Sequence, residues 1–327
     1  MKVLWIIPGD GEGSSFIFSR RQIRKLQEMG VEGEVYFLKS RTNLFSLFRA
    51  RKEVKQIMKQ LKPDIVHAHY GSINGLFTTC LKHPKTVITF QGSDLNTTVS
   101  ESFLRNKITK LASRYSLKRT VANLTQSQAL KDLIPSKYHY KSHVIPLGVD
   151  EDVFTPMPRD KARATLAWNQ QDLVVLFNGN NPKIKRLDIA SAAIELTRKQ
   201  FPTTRLEVLS GAMDPEKIPL MLNASNVVLL CSDSEGSPTI IKEAMACNVP
   251  IVSNIVGDTE KRLTNVKGAI LTTQDPQDIA KHLVEFFRQV DNNPTYNLRE
   301  SFLTQHLSGT DSCQNTIQVY KTILNTK

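Results

Sequence analysis

The stretch of this chain whose residue types could do chemistry most directly is EGSPTIIKE at residues 235–243, where Glu235 and Glu243 flank what reads as the start of a helix. The preceding NVVLLCS, residues 226–232, is a short apolar run suited to a buried strand, so residues 233–236 fall on the loop at its carboxyl end. Ser237 is then a candidate N-cap and Pro238 the first helical residue, since proline's fixed φ and missing N–H suit that place. With Ile240 instead of Glu or Gln at the third helical position, no capping box forms. The N–H groups of Thr239 and Ile240 are left for an anion such as a phosphate. Glu243 lies about one to one and a half turns further in, where a carboxylate can accept hydrogen bonds from two adjacent sugar hydroxyls. The plain alternative is a surface helix with two solvated acids.

A second cluster, NGNNPKIKR at residues 178–186, follows another strand-like run and precedes a helix predicted over residues 187–199. Lys183, Lys185 and Arg186 there can neutralise a diphosphate and stabilise it as a leaving group, an effect that needs no bound metal. A solvated turn would carry the same residues. Gly9, Gly11 and Gly13 follow the first apolar run and let the backbone approach a phosphate, although their spacing is not Gly-x-Gly-x-x-Gly. His67 and His69 (HAHYG) follow a third run, and Gln91 to Asp94 (QGSD) a fourth. His67 reads as a core residue and His69, nearer the strand end, as the one that meets ligand. The two rings share a face with no third ligand in view, so no zinc site is expected.

These groups need a scaffold that brings strand ends together, and the chain supplies its pattern. Short apolar runs alternate with longer amphipathic ones, as in parallel sheets covered by helices. Strands are predicted at residues 3–7, 34–38, 65–68, 87–90, 121–124 and 143–145, then at 174–178, 205–210, 227–231, 251–253 and 269–271. In such sheets ligands gather at the carboxyl ends of strands, where every cluster above falls. A single core rarely grows beyond about 250–300 residues, so 327 residues imply two domains. They are expected at 1–150 and 151–310, joined by the breaker-rich residues 146–158, with a last helix, residues 311–324, able to cross back to the first.

Residues 1–150 hold 24 Lys or Arg against 11 Asp or Glu, while the remainder holds 19 against 20, so the net charge of +12 belongs to the first half. Three predicted helices concentrate it, at residues 16–29, 47–62 and 104–119, with apolar residues at helical spacing: Ile23 and Leu26; Val54, Ile57, Met58 and Leu61; Leu104, Ile108 and Leu111. Such helices either pack on a sheet with their cations in water or lie on an anionic lipid surface. No apolar run reaches the ~18 residues of a membrane span, and the seven residues before Pro8 are too short for a signal peptide core. Cys80, Cys231, Cys247 and Cys313 have neither zinc-site nor disulfide spacing, which fits a reducing cytoplasm.

Taken together, the glycine loop, DIVHAHYG, QGSDL, VIPLGVDEDVF, NPKIKRLD and above all EGSPTIIKEAMACNVPIVS resemble the retaining glycosyltransferases of family 4 over nearly the whole chain. The resemblance implies a GT-B fold, two facing Rossmann-like domains with a ligand cleft between them. It implies a glycosyl transferase moving a sugar from a UDP- or GDP-sugar, with retention and without metal or other cofactor, onto a glycan or lipid-linked acceptor of a surface polysaccharide. By position, Glu235 and Lys185 would act on the transferred sugar and the departing diphosphate. Lys183, Arg186, Asn180, Gly11, Gly13 and the segment Gly236, Ser237, Pro238, Thr239 and Ile240 would complete the donor site, with Glu243 on the ribose. His69, Gln91 and Asp94 would face the acceptor. The chain departs from the family pattern at Asn180 (commonly Arg), Gln91 (His), Asn248 (Gly) and within Val256-Gly257-Asp258, which lacks the second glycine of the usual pair.

An enzyme of this kind, cytoplasmic and peripheral on the membrane, would dock its basic domain on anionic lipid. A nicotinamide-dependent oxidoreductase needs a Gly-x-Gly-x-x-Gly turn that neither half supplies, and a nucleic-acid binder needs an aromatic platform that the basic helices lack. A GT-B sugar-nucleotide epimerase, or a sugar-nucleotide or polyanion-binding protein without catalysis, is the alternative.

Overall fold

A computed structural model describes residues 1–12, 15–92, 94–95, 103–211, 213–289 and 295–326. The chain forms two compact units, Met1–Gly148 with Gly309–Lys327, and Val149–Ser308. Unit 1 runs β1 (Lys2–Pro8), α1 (Ile17–Glu28), β2 (Glu32–Leu38), α2 (Leu44–Leu61), β3 (Ile65–His69), α3 (Ser72–Cys80), β4 (Thr86–Phe90), α4 (Phe103–Arg119), β5 (Ala122–Thr125), α5 (Gln128–Asp132) and β6 (Ser142–Val144). Unit 2 continues with α6 (Arg159–Leu166), β7 (Leu173–Asn178), α7 (Pro182–Lys185), α8 (Leu187–Arg198), β8 (Thr204–Leu209), α9 (Ile218–Ala224) and β9 (Val227–Leu230). It closes with α10 (Thr239–Ala246), β10 (Ile251–Asn254), α11 (Thr259–Leu263), β11 (Ala269–Thr272), α12 (Pro276–Gln289) and α13 (Leu298–Thr304). The last helix, α14 (Gly309–Asn325), belongs to unit 1 and packs on α1.

Both sheets are parallel throughout, in the orders β2-β1-β3-β4-β5-β6 and β11-β10-β9-β7-β8, so the fold is that of two Rossmann-like α/β units. Central strands of such sheets are covered on both faces and become apolar runs, whereas the edge strands β2 (EGEVYFL) and β8 (TRLEVL) keep charged, partly exposed residues; all eleven predicted strands match observed ones within two residues. In unit 1, Val3, Trp5, Ile7, Ile65 and Val87 meet α1 and α14, while Leu4, Ile6 and Val66 meet α2 and α3. Burying each of these side chains contributes about 1.5–3 kcal/mol.

The structure refines three expectations. The boundary between the units, at Gly148 and Val149, falls within residues 146–158, but Val149 and Phe154 are buried in the core of unit 2. The apolar stripe of α4 does not meet the sheet: Leu104, Ile108 and Leu111 are exposed, and the helix buries Asn106, Ala112, Ser113, Ser116 and Leu117 instead. Small residues are required there, since Gly71 and Gly75 bring α3 so close that a Cβ on Gly71 would lie 3.0 Å from Ser113 Oγ. Finally, α10 begins at Thr239 with Pro238 as its N-cap, one residue later than predicted.

Candidate functional site

In unit 2 the strand order reverses between β9 and β7, so the loops leaving these two strands diverge and open a crevice at their carboxyl ends. The loop after β7 turns sharply. Gly179 is required there, because a Cβ would lie 2.4 Å from Val208 Cγ1, and Asn181 adopts φ 60° before Pro182 opens the single turn of α7. Arg186, also at φ 60°, ends that turn and starts α8. The Asp233 N–H donates to the Ile184 carbonyl at 2.8 Å and ties α7 to the loop after β9. This tie sets Lys185 Nζ against Glu235 Oε1, in a hydrogen-bonded ion pair that is mostly shielded from water.

The other predicted donor-side residues divide. Lys183 and Asn180 are exposed on the same turn, and the Asn180 N–H is held by Asn178 Oδ1 at 3.1 Å. Arg186 is not presented as an uncommitted cation. It pairs with Asp188 at 2.8 Å and Asp233 at 3.1 Å, and the hydrogen bond to Asp188 is the largest of the influences holding its pKa above the ordinary value. Gln274 Nε2 also donates to Asp233 Oδ1 at 3.0 Å, so this acid joins three elements.

Ser237 does not cap α10. Its hydroxyl donates to Asp258 Oδ2 at 2.9 Å, and the same oxygen accepts from Arg262 Nε at 3.1 Å. The helix therefore starts with no side-chain cap, and its amide end at Thr239 and Ile240 follows Gly236 after only Ser237 and Pro238. Gly257, at φ 60°, closes over this loop, where an added Cβ would lie 2.7 Å from the Gly236 carbonyl oxygen. Gly257 thus has a steric role of its own, without the second glycine of the usual pair.

Glu243 is not a solvated acid; it is 5% exposed, on a helix whose residues 240–246 are all buried. Beside it Lys242 is fully enclosed, and burial pushes its pKa down to about 8, against the opposing pull of Asp258 and Glu243. Sequence reasoning missed Lys242, Asp258 and Arg262 as a charged support for this helix, because their grouping depends on the return of the chain after β10. No local signal marks it. Among the described residues no group of His, Cys, Asp and Glu is arranged to hold a metal ion.

In unit 1, His69, Gln91 and Asp94 lie at the carboxyl ends of β3 and β4. His69 is fully buried, its pKa is pushed down to about 3 by desolvation, and neither ring nitrogen finds a partner among the described residues. Asp94 is also fully buried and accepts from the N–H groups of Gly71, Gln91 and Gly92 at 2.7–3.1 Å; burial raises its pKa against those bonds. Its carboxylate organises two loops. The Gln91 side chain donates to Ser19 Oγ at 2.8 Å. Gly11, at φ 86°, packs against Phe37 and accepts from Arg20 Nη1 at 2.6 Å, while Gly13 lies outside the described residues.

Two family models match this chain, Glycosyltransferase Family 4 over residues 13–153 and Glycosyl transferases group 1 over residues 207–300, together more than two thirds of its length. The chain belongs to the group 1 glycosyltransferases of GT-B fold. TuaC of Bacillus subtilis (strain 168), a proposed teichuronic acid biosynthesis glycosyltransferase, is 24% identical over 73% of this chain and 65% of its own length. A D-inositol 3-phosphate glycosyltransferase of Paenarthrobacter aurescens (strain TC1) is 28% identical over 45% of this chain and 43% of its own. This group 1 member therefore spans less than two thirds of these relatives. The fold is similar to that of sucrose-phosphate synthase from Thermosynechococcus elongatus, with TM-score 0.77, 16% identity and both chains covered completely. Anabaena Alr3699/HepE in complex with UDP and glucose gives 0.72 and 15%, with 98% of this chain and all of that one covered.

Proposed function

We propose that this group 1 protein transfers a glycosyl residue from a UDP- or GDP-sugar to a glycan or lipid-linked glycan acceptor, with retention of anomeric configuration and in service of a surface polysaccharide. The observation that carries the reading is the Lys185–Glu235 pair in the crevice between β7 and β9, beside the uncapped start of α10. Lys185 and Lys183, with the amides of Thr239 and Ile240 and the backbone of Gly236 to Pro238, neutralise the diphosphate as it leaves. Arg186 acts one step back, by holding Asp233 and so the loop. Glu235, already ion-paired, positions the transferred sugar through its hydroxyls, and Glu243 receives the ribose. The acceptor is deprotonated by the departing phosphate on the same face of the sugar, so no carboxylate nucleophile is required. The UDP and glucose bound to the Anabaena neighbour support this class of donor.

The test measures release of UDP or GDP from a panel of sugar donors with and without a lipid-linked oligosaccharide, in the presence of a chelator. Acceptor-dependent release of one nucleotide is expected, and Lys185→Met and Glu235→Gln should each lower turnover roughly 10²–10³-fold. Release that both variants leave unchanged, or epimerisation of the donor without any acceptor, would overturn the reading.

A further inference from the structure

Unit 1 exposes large apolar side chains on one layer of helices. Leu4, Ile6 and Val66 pack against α2 and α3, while Ala68 and Ile88, on the same face of the sheet as Ile6, pack against α4. The three helices therefore cover one face, with α3 next to α4 and sharing a core cluster with α2. Because α4 turns its small residues inward, Leu104, Ile108, Leu111 and Tyr115 form a continuous stripe at helical spacing on its outer side, with Leu104 66% exposed. At the start of α2, Leu44, Phe45 and Phe48 also stand in solvent, Phe45 at 88%. An apolar groove of about 200 Å³ runs from Leu44, Leu47 and Phe48 to Ile73, Leu76 and Phe77 of α3. Both groups lie in the first halves of helices that leave the carboxyl ends of strands, so they share one end of the layer.

Charge distinguishes the occupant. Together α2 and α4 carry eleven Lys or Arg and a single acid, Glu53, which is engaged by Arg49 at 3.1 Å and by Tyr36 at 2.8 Å. Lys52, Lys55, Lys107, Arg114 and Lys118 are exposed around the apolar residues. We infer that this helical layer docks on an anionic lipid bilayer, Leu44, Phe45, Phe48, Leu104, Ile108 and Leu111 entering the interface while the surrounding cations meet headgroup phosphates. Apolar side chains spread along two helices and ringed by cations match a lipid interface, whereas nucleic acid offers no place for Leu and Ile, and a protein partner anchored in the groove beside Phe48 would leave the separate stripe on α4 uncovered. The inference goes beyond the transfer reaction and stands without it.

Flotation of the purified protein with phosphatidylglycerol-containing vesicles, against pure phosphatidylcholine vesicles, decides it. The protein should float with the anionic vesicles only and be released as salt rises. Phe45→Ser with Phe48→Ser, and Leu104→Ser with Ile108→Ser, should each weaken partition on the order of ten-fold, at unchanged thermal midpoint, because these side chains are already in water. Wild type that ignores anionic vesicles, variants that float like wild type, or a lipid-free dimer that Phe45→Ser with Phe48→Ser splits into monomers would each overturn the inference. A donor-induced thermal shift retained by both variants would show that loss of flotation is not loss of the donor site.

Discussion

At the residue scale the candidate site contrasts one shielded ion pair near the surface, Lys185 with Glu235, and one enclosed cation, Lys242. Burial dominates the surroundings of Lys242, whose folded pKa of about 8 lies below its ordinary value of 10.5. The folded state therefore binds fewer protons than the unfolded state between those two values, so its stability rises with pH across that window; below about 8 the desolvation penalty is present in full. Relative to Lys242→Met, which has nothing to titrate there, the wild-type protein should gain on the order of 2–3 kcal/mol between pH 7.5 and about 10.5. Denaturant unfolding of both proteins across this range measures it, and a constant difference would show that Lys242 is as well solvated as a surface lysine. The acids and cations of the site were legible in the sequence because their types and order sufficed. The second partner of Arg186 was not, since beside the neighbouring Asp188 it pairs with Asp233, which only the return of the chain through β9 brings near.

At the scale of elements the central strands were legible for a physical reason: a strand buried on both faces is mostly apolar, and this pattern survives without any knowledge of neighbours. Helix faces were less legible. The stripe Leu104, Ile108 and Leu111 has the spacing of a buried face, but the close approach of α3 at Gly71 and Gly75 admits only small residues and turns the stripe outward. The start of α10 was misread by one residue because the hydroxyl that should have capped it is taken by Asp258. That loop also depends on Gly257, which combines a left-handed φ with a Cβ position 2.7 Å from the Gly236 oxygen. Gly257→Ala should therefore cost about 1–3 kcal/mol and displace Glu235, lowering turnover further than stability alone explains. Gly30→Ala is the matched control, since Gly30 has φ 87° but open space around its Cβ position. It should lose about 1 kcal/mol with turnover intact. Urea unfolding and nucleotide release on both variants separate backbone strain from displacement of the loop.

At the scale of the whole molecule, each unit has its own core, and the last helix of the chain is part of the first. Tyr320 of α14 is fully buried in the cluster built on Trp5, Ile65 and Val87, where its hydroxyl meets His67 Nδ1 at 2.5 Å and accepts from Trp5 Nε1 at 3.3 Å. His67 is in turn held by Thr89 at 2.8 Å, and burial keeps its pKa well below the usual value, so this network joins α14 to β1, β3 and β4 without a charge. Tyr320→Ala should remove about 3–5 kcal/mol by opening a cavity and leaving buried polar groups without their partner. Tyr320→Phe should cost only the hydrogen bonds, about 1–3 kcal/mol. For units of this size, about 2–4 °C per kcal/mol follows, so the alanine variant should lower one calorimetric transition by roughly 10 °C. The transition that falls should be the one a nucleotide donor does not raise, because the donor residues proposed above lie mainly on unit 2 whereas the lost burial is in unit 1. A fall confined to the donor-sensitive transition would mean that α14 supports the donor unit, contrary to its packing on α1.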